Sequence, residues 1–140
     1  MYTISLFWIF CLSFYLLIDG SNAGGTTKSL DYRQEECIAE SKVDRNSVQR
    51  LRAGNWKKSD TALKKWTLCY LAKHDIMSRN GVLSQDVVLR NIPTKDKAHV
   101  EKVINKCLYK HAHDPIETAW HYLTCFHKNE RKYAKLANLI

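Results

Sequence analysis

Four cysteines limit the fold of this chain more than any other feature. Cys37, Cys69, Cys107 and Cys125 are separated by 31, 37 and 17 intervening residues. An even set in a short exported chain reads as a disulfide framework. Four cysteines permit three pairings, and spacing alone does not choose among them. A structural zinc site needs a close cysteine pair or a Cys/His cluster, which this spacing does not supply.

The even count depends on what happens to the first 23 residues, because the chain holds five cysteines and Cys11 is among them. Leu6 to Ile18 is an uncharged apolar run, too short to span a bilayer comfortably. Asp19-Gly20 and then Ser21-Asn22-Ala23 follow, with small residues where a signal peptidase reads. Residues 1–23 are therefore expected to be a secretory signal peptide, cleaved after Ala23, with a retained anchor as the alternative. Residues 24–140 are then one domain, secreted and extracellular. All 22 Lys and Arg lie beyond the leader and one of the 14 acids, Asp19, lies within it, which raises the formal net charge from +8 to +9. Such a balance favours anionic partners: carboxylate ligands, acidic membrane surfaces or nucleic acid. The charge is scattered, and Lys57-Lys58 and Lys64-Lys65 are explained by solvated helix faces.

Only two prolines and five glycines occur, and they fall at the edges of periodic segments. Apolar/polar alternation is nearly absent, so strands are not expected. The pattern predicts an all-α chain of six helices. The first runs from about Thr27 to Ser41. Asp44 caps the second, with Val43 and Val48 as a hydrophobic staple and Gly54 past its end. Ser59 is expected to cap the third, whose apolar set is Ala62, Leu63, Trp66, Tyr70 and Leu71. Asn80-Gly81 is a turn, and Ser84 starts a short fourth helix ending near Ile92-Pro93. Thr94 is expected to cap the fifth, where Val100, Val103, Ile104, Cys107 and Leu108 repeat at helical spacing. Asp114-Pro115-Ile116-Glu117 resembles a capping box that opens the sixth, with Ile116, Ala119, Trp120, Leu123 and Phe126 on its inner face. A Cys107–Cys125 bond would tie helices five and six as an antiparallel pair, and a Cys37–Cys69 bond would tie one to three. Each closure is worth on the order of 3 kcal/mol. The tail ends in Leu136, Leu139 and Ile140, an apolar terminus suited to folding back onto the body.

Catalytic chemistry has little to stand on. Lys73-His74-Asp75 after Cys69 superficially resembles the His-Asp pair of secreted phospholipases, but the Gly-rich calcium loop and the denser cysteine set are missing. No G-x-S-x-G elbow occurs. His111-Ala112-His113-Asp114 has the donors for a weak Zn or Cu site, but Asp114 is better used as a helix cap. No cofactor or metal is expected, and the chain is read as not an enzyme. Nucleic-acid binding calls for exposed aromatics interleaved with a basic stripe, whereas the aromatics here fall on inward faces.

At this point the residues resemble a known family. The cysteine spacing, ECIAES around Cys37 and DPIETAWHYLTCF around Cys125 are similar to insect odorant-binding proteins of the pheromone and general-odorant type, over essentially all of residues 24–140. That pattern has six cysteines, three residues separating the second from the third and eight separating the fifth from the sixth. Those positions are Lys65 and Ile116 here. The second and fifth are bonded to each other in the family, so one whole bridge is gone. The chain resembles the four-cysteine "minus-C" subgroup, and LKKWTLCYLAKHDIM and ETAWHYLTCFHK are similar to moth members. The resemblance implies Cys37–Cys69 and Cys107–Cys125 bonds, six helices around an apolar cavity, and carriage of an odorant, pheromone, fatty acid or similar small hydrophobic ligand. It also implies that helices three and six move apart more easily than in six-cysteine members.

The expected lining of such a cavity is Leu63, Trp66, Met77, Val87, Val103, Ile104, Leu108, Trp120, Leu123 and Phe126, with Tyr70 and Tyr122 offering hydroxyls to a polar end. Core packing explains each of these equally well, and buried tyrosines usually bond a neighbour instead. The six histidines, His74, His99, His111, His113, His121 and His127, suggest a charge change that loosens the sixth helix and tail and releases ligand in mildly acidic surroundings, with surface histidines and no switch as the alternative. The competing function is a secreted basic helical protein that binds anionic membranes or acidic partners without a cavity. A membrane receptor is a further partner for the carrier reading.

Overall fold

A computed structural model describes residues 32–56, 60–108 and 114–135. The proposed leader, Ser59, the His111-Ala112-His113 run and the apolar end of the tail lie outside them. Seven helices are described: α1 (Tyr32–Ser41), α2 (Arg45–Arg52), α3 (Thr61–Lys73), α4 (Gln85–Leu89), α5 (Thr94–Leu108), α6 (Pro115–Asn129) and α7 (Arg131–Ala134). The six expected helices correspond to the first six. The seventh is one turn of the tail, which folds back far enough to bury Tyr133 and Ala134.

Helix ends follow local chemistry. The Asp44 carboxylate accepts the Ser47 N–H, while Val43 and Val48 are both buried on either side of it. At the other end of α2 the Gly54 N–H reaches the Leu51 carbonyl and the Asn55 N–H reaches Arg50. That is a Schellman stop, and it needs the left-handed backbone that Gly54 adopts at φ 86°. The cap of α3 is Asp60 rather than Ser59: Asp60 is extended and its carboxylate accepts the Leu63 N–H at 2.7 Å. Thr94 is the first residue of α5 rather than a cap, and α4 stops at Leu89, with a turn carrying the chain to Ile92. Asp114 does cap α6, bonding the Ile116 N–H at 2.8 Å. Glu117 does not complete a capping box. Its carboxylate reaches across to Lys64 of α3, at 2.7 and 2.9 Å.

Between α3 and α4 the chain makes a small hairpin with one antiparallel bridge, Met77 to Leu83. The Ser78 N–H bonds the Val82 carbonyl, and Gly81 turns at φ 81° with its α-carbon near Pro115. A Cβ there would sit 3.2 Å from the Pro115 backbone, so the turn packs closely on the start of α6.

α3 is the central element. It buries Leu63, Trp66, Thr67, Leu68, Cys69, Tyr70 and Leu71, a set that runs round most of its circumference. It packs against α1 and α6; α6 also meets α5 and α7, and α5 meets α4. Disulfides join Cys37 to Cys69 and Cys107 to Cys125, linking α1 to α3 and α5 to α6. Ion pairs brace the outside: Lys73 with Glu36, Arg79 with Glu40, and Arg45 with Glu35. Among the described residues no helix is long and apolar enough to cross a membrane.

Candidate functional site

The twelve residues expected to line a ligand site come from five stretches of chain, and the structure brings all of them into one apolar cluster. Leu63, Trp66, Tyr70, Met77, Ile104, Tyr122, Leu123 and Phe126 are buried. Val87, Val103, Leu108 and Trp120 are half-buried and pack on the cluster's edge. Helical spacing puts Trp66 and Tyr70 one turn apart on α3, where their rings stack at 5.0 Å. Tyr122 and Phe126 repeat the arrangement on α6, at 5.8 Å and tilted. Tyr70 also meets the His74 ring at 4.5 Å.

Two of its fully buried side chains carry a polar atom with no hydrogen-bond partner among the described residues: Tyr122 Oη and Trp66 Nε1. One belongs to each of the two helices that meet at the centre. Burial alone pushes the Tyr122 phenol well above its ordinary pKa, so it is a neutral O–H donor at any physiological pH. Buried polar atoms in native proteins are paired in the great majority of cases. An unpaired donor on each side of an apolar interior is therefore a notable departure.

Trp56 was not singled out by its sequence position, yet it extends the site. It sits in the loop after α2, against Trp120 at 6.0 Å and His127 at 4.7 Å, with its own Nε1 buried and without a hydrogen-bond partner among the described residues. Burial, and then the charge of Arg131, hold the His127 imidazole below its usual pKa. His99 lies elsewhere, paired with Glu130.

Open clefts flank the cluster. One of ≈ 340 Å³ is lined by Ala72, Lys73, Asp75, Met77, Ser78, Arg79 and Ser84; another of ≈ 190 Å³ is lined by Glu40, Ser41, Lys65, Leu68, Cys69, Arg79 and Ile116. Of the twelve expected residues, Met77 lines the first, and the others line neither. Hydrogen bonds from Arg79 and Lys73 hold the Glu40 and Glu36 carboxyls below the ordinary carboxylate range. Among the described residues no group of three or more His, Cys, Asp or Glu could hold a metal ion.

Comparison with known proteins fits this geometry. The model of the PBP/GOBP family matches residues 24–129. Odorant-binding protein 10 of Aedes aegypti is 30% identical over 100 residues, which is 69% of each chain. Among solved structures, the fatty acid binding protein OBP56a from the oral disk of the blowfly Phormia regina superposes with a TM-score of 0.60. It shares 24% identity, over 71% of this chain and 87% of that one, and so speaks to the fold. With seven described helices, two disulfides and a family match over most of its length, this chain belongs to the PBP/GOBP family of odorant-binding proteins.

Proposed function

We propose that this protein is a soluble extracellular carrier, not an enzyme, which takes up a small apolar ligand in the interior between α3, α5 and α6. The observation that carries the reading is the pair of unpartnered donors, Tyr122 Oη and Trp66 Nε1, inside a cluster otherwise built from apolar side chains. Leaving such a donor unpaired costs about 1–3 kcal/mol, a cost that a guest's oxygen would remove. The ligand is then an elongated apolar molecule with one polar end, and a carboxylate suits the positive net charge. The fatty acid bound by the blowfly neighbour is a ligand of that kind. Contact with an acidic membrane surface is read from the same charge, and a membrane receptor is a further partner of such a carrier.

The test is uptake of the apolar fluorophore N-phenyl-1-naphthylamine at micromolar concentration, followed by displacement with long-chain alcohols and carboxylates. Saturable, stoichiometric uptake supports the carrier. Binding to anionic vesicles that vanishes with salt, with no dye uptake, replaces it with the basic interaction protein.

A further inference from the structure

We infer that the seam where α3 meets α6 holds a second binding site, a cleft for a small monocarboxylate with a compact apolar body. Lys65 and Ile116, the positions at which the six-cysteine pattern places its second and fifth cysteines, line one cleft together. The cleft they share has a volume of ≈ 190 Å³. That is room for a compact aromatic acid. None of the twelve interior residues lines it, so its occupancy is independent of the carrier function.

The chemistry of the walls selects the guest. Leu68, Ile116 and the Cys69 end of the disulfide give an apolar surface. Arg79 and Glu40 share the rim but neutralise each other as an ion pair. Lys64 is engaged with Glu117. The exposed Lys65 ammonium has no hydrogen bond or ion pair among the described residues, which leaves the rim with one uncompensated positive charge. A carboxylate over Lys65, with a ring against Leu68 and Ile116, satisfies both the charge and the apolar wall.

The experiment titrates the isotopically labelled protein with sodium benzoate at 0.15 M salt and follows backbone amides by NMR. Saturable shifts are expected at Lys65, Leu68, Cys69 and Ile116, with a Kd on the order of 1 mM. Lys65→Glu, a surface exchange, should weaken benzoate at least about fivefold while leaving N-phenyl-1-naphthylamine uptake unchanged. Neutral benzyl alcohol should bind the parent as weakly as benzoate binds that variant. Shifts centred on Trp66 and Tyr122, equal benzoate affinity in Lys65→Glu, or no saturation by about 20 mM would each overturn the site.

Discussion

Removing one oxygen atom separates a binding interior from a merely packed one. Tyr122→Phe deletes a hydroxyl that is fully buried and has no partner among the described residues, and it leaves the ring against Phe126 in place. In an ordinary core a buried tyrosine hydroxyl is paired, and losing it destabilises by about 1 kcal/mol or more. Here the sign reverses. The ligand-free protein no longer bears an unsatisfied donor, so it should gain about 1–3 kcal/mol. For a domain of this size each kcal/mol raises Tm by roughly 4 °C. Binding should move the other way: 1-decanol, whose oxygen can accept the Tyr122 proton, should lose about tenfold in affinity, equal to 1.4 kcal/mol. Decane, with no oxygen, should bind the variant as it binds the parent. Urea denaturation of ligand-free protein gives the first quantity and displacement of the fluorophore gives the second. A variant less stable than the parent, or equal losses for the alcohol and the hydrocarbon, would show that the hydroxyl is satisfied by the protein itself.

Three further outcomes follow from single contacts. Glu117→Gln removes the ion pair to Lys64, whose side chains are 23% and 50% exposed, with Glu117 the more open; the loss should be about 0.5–1 kcal/mol in urea and should shrink in 1 M salt. Asp75 holds the left-handed position after α3 at φ 58°, with the Ile76 N–H bonded back to Leu71, so Asp75→Gly should raise stability by about 1 kcal/mol in thermal melts. The depressed imidazole of His127 takes up its proton less readily folded than unfolded. Its contribution is nil well above about pH 6.5 and turns destabilising as pH falls through that value, levelling off below the folded pKa. His127→Gln should therefore flatten the acid side of a stability–pH curve, and an unchanged curve would assign the slope to other groups.

Much of the fold could be read from the sequence because local chemistry decided it. Asp44 and Asp114 are read as helix caps and Gly54 as a left-handed stop, and each plays that role. Ser59 misled because Asp60 beside it is an equally good cap and stands directly before the first helical residue. The hairpin at Met77 and Leu83 is a single bridge, too short to produce an alternating pattern. Helical spacing placed eleven of the twelve expected residues on faces that pack into one apolar cluster, seven of them buried and Val87, Val103, Leu108 and Trp120 half-buried, while Met77 joins it from the hairpin. It gave no hint of Trp56, which follows a helix stop where no period applies. Lys64 and Glu117, 53 residues apart, meet only through the packing of α3 on α6. Which buried polar atoms find partners is likewise settled in three dimensions.

The two disulfides divide the molecule into covalently closed halves. One holds α1 with α3, the other holds α5 with α6, and no bond of either set crosses from α3 to α6. Trp66 stands on one side of that line and Tyr122 on the other, so the interior is assembled from two separately reinforced shells, like a bivalve without its hinge pin. Across that margin the two shells are held by packing and by the Lys64–Glu117 ion pair, with no disulfide. Separating Trp66 from Tyr122 would therefore break no disulfide.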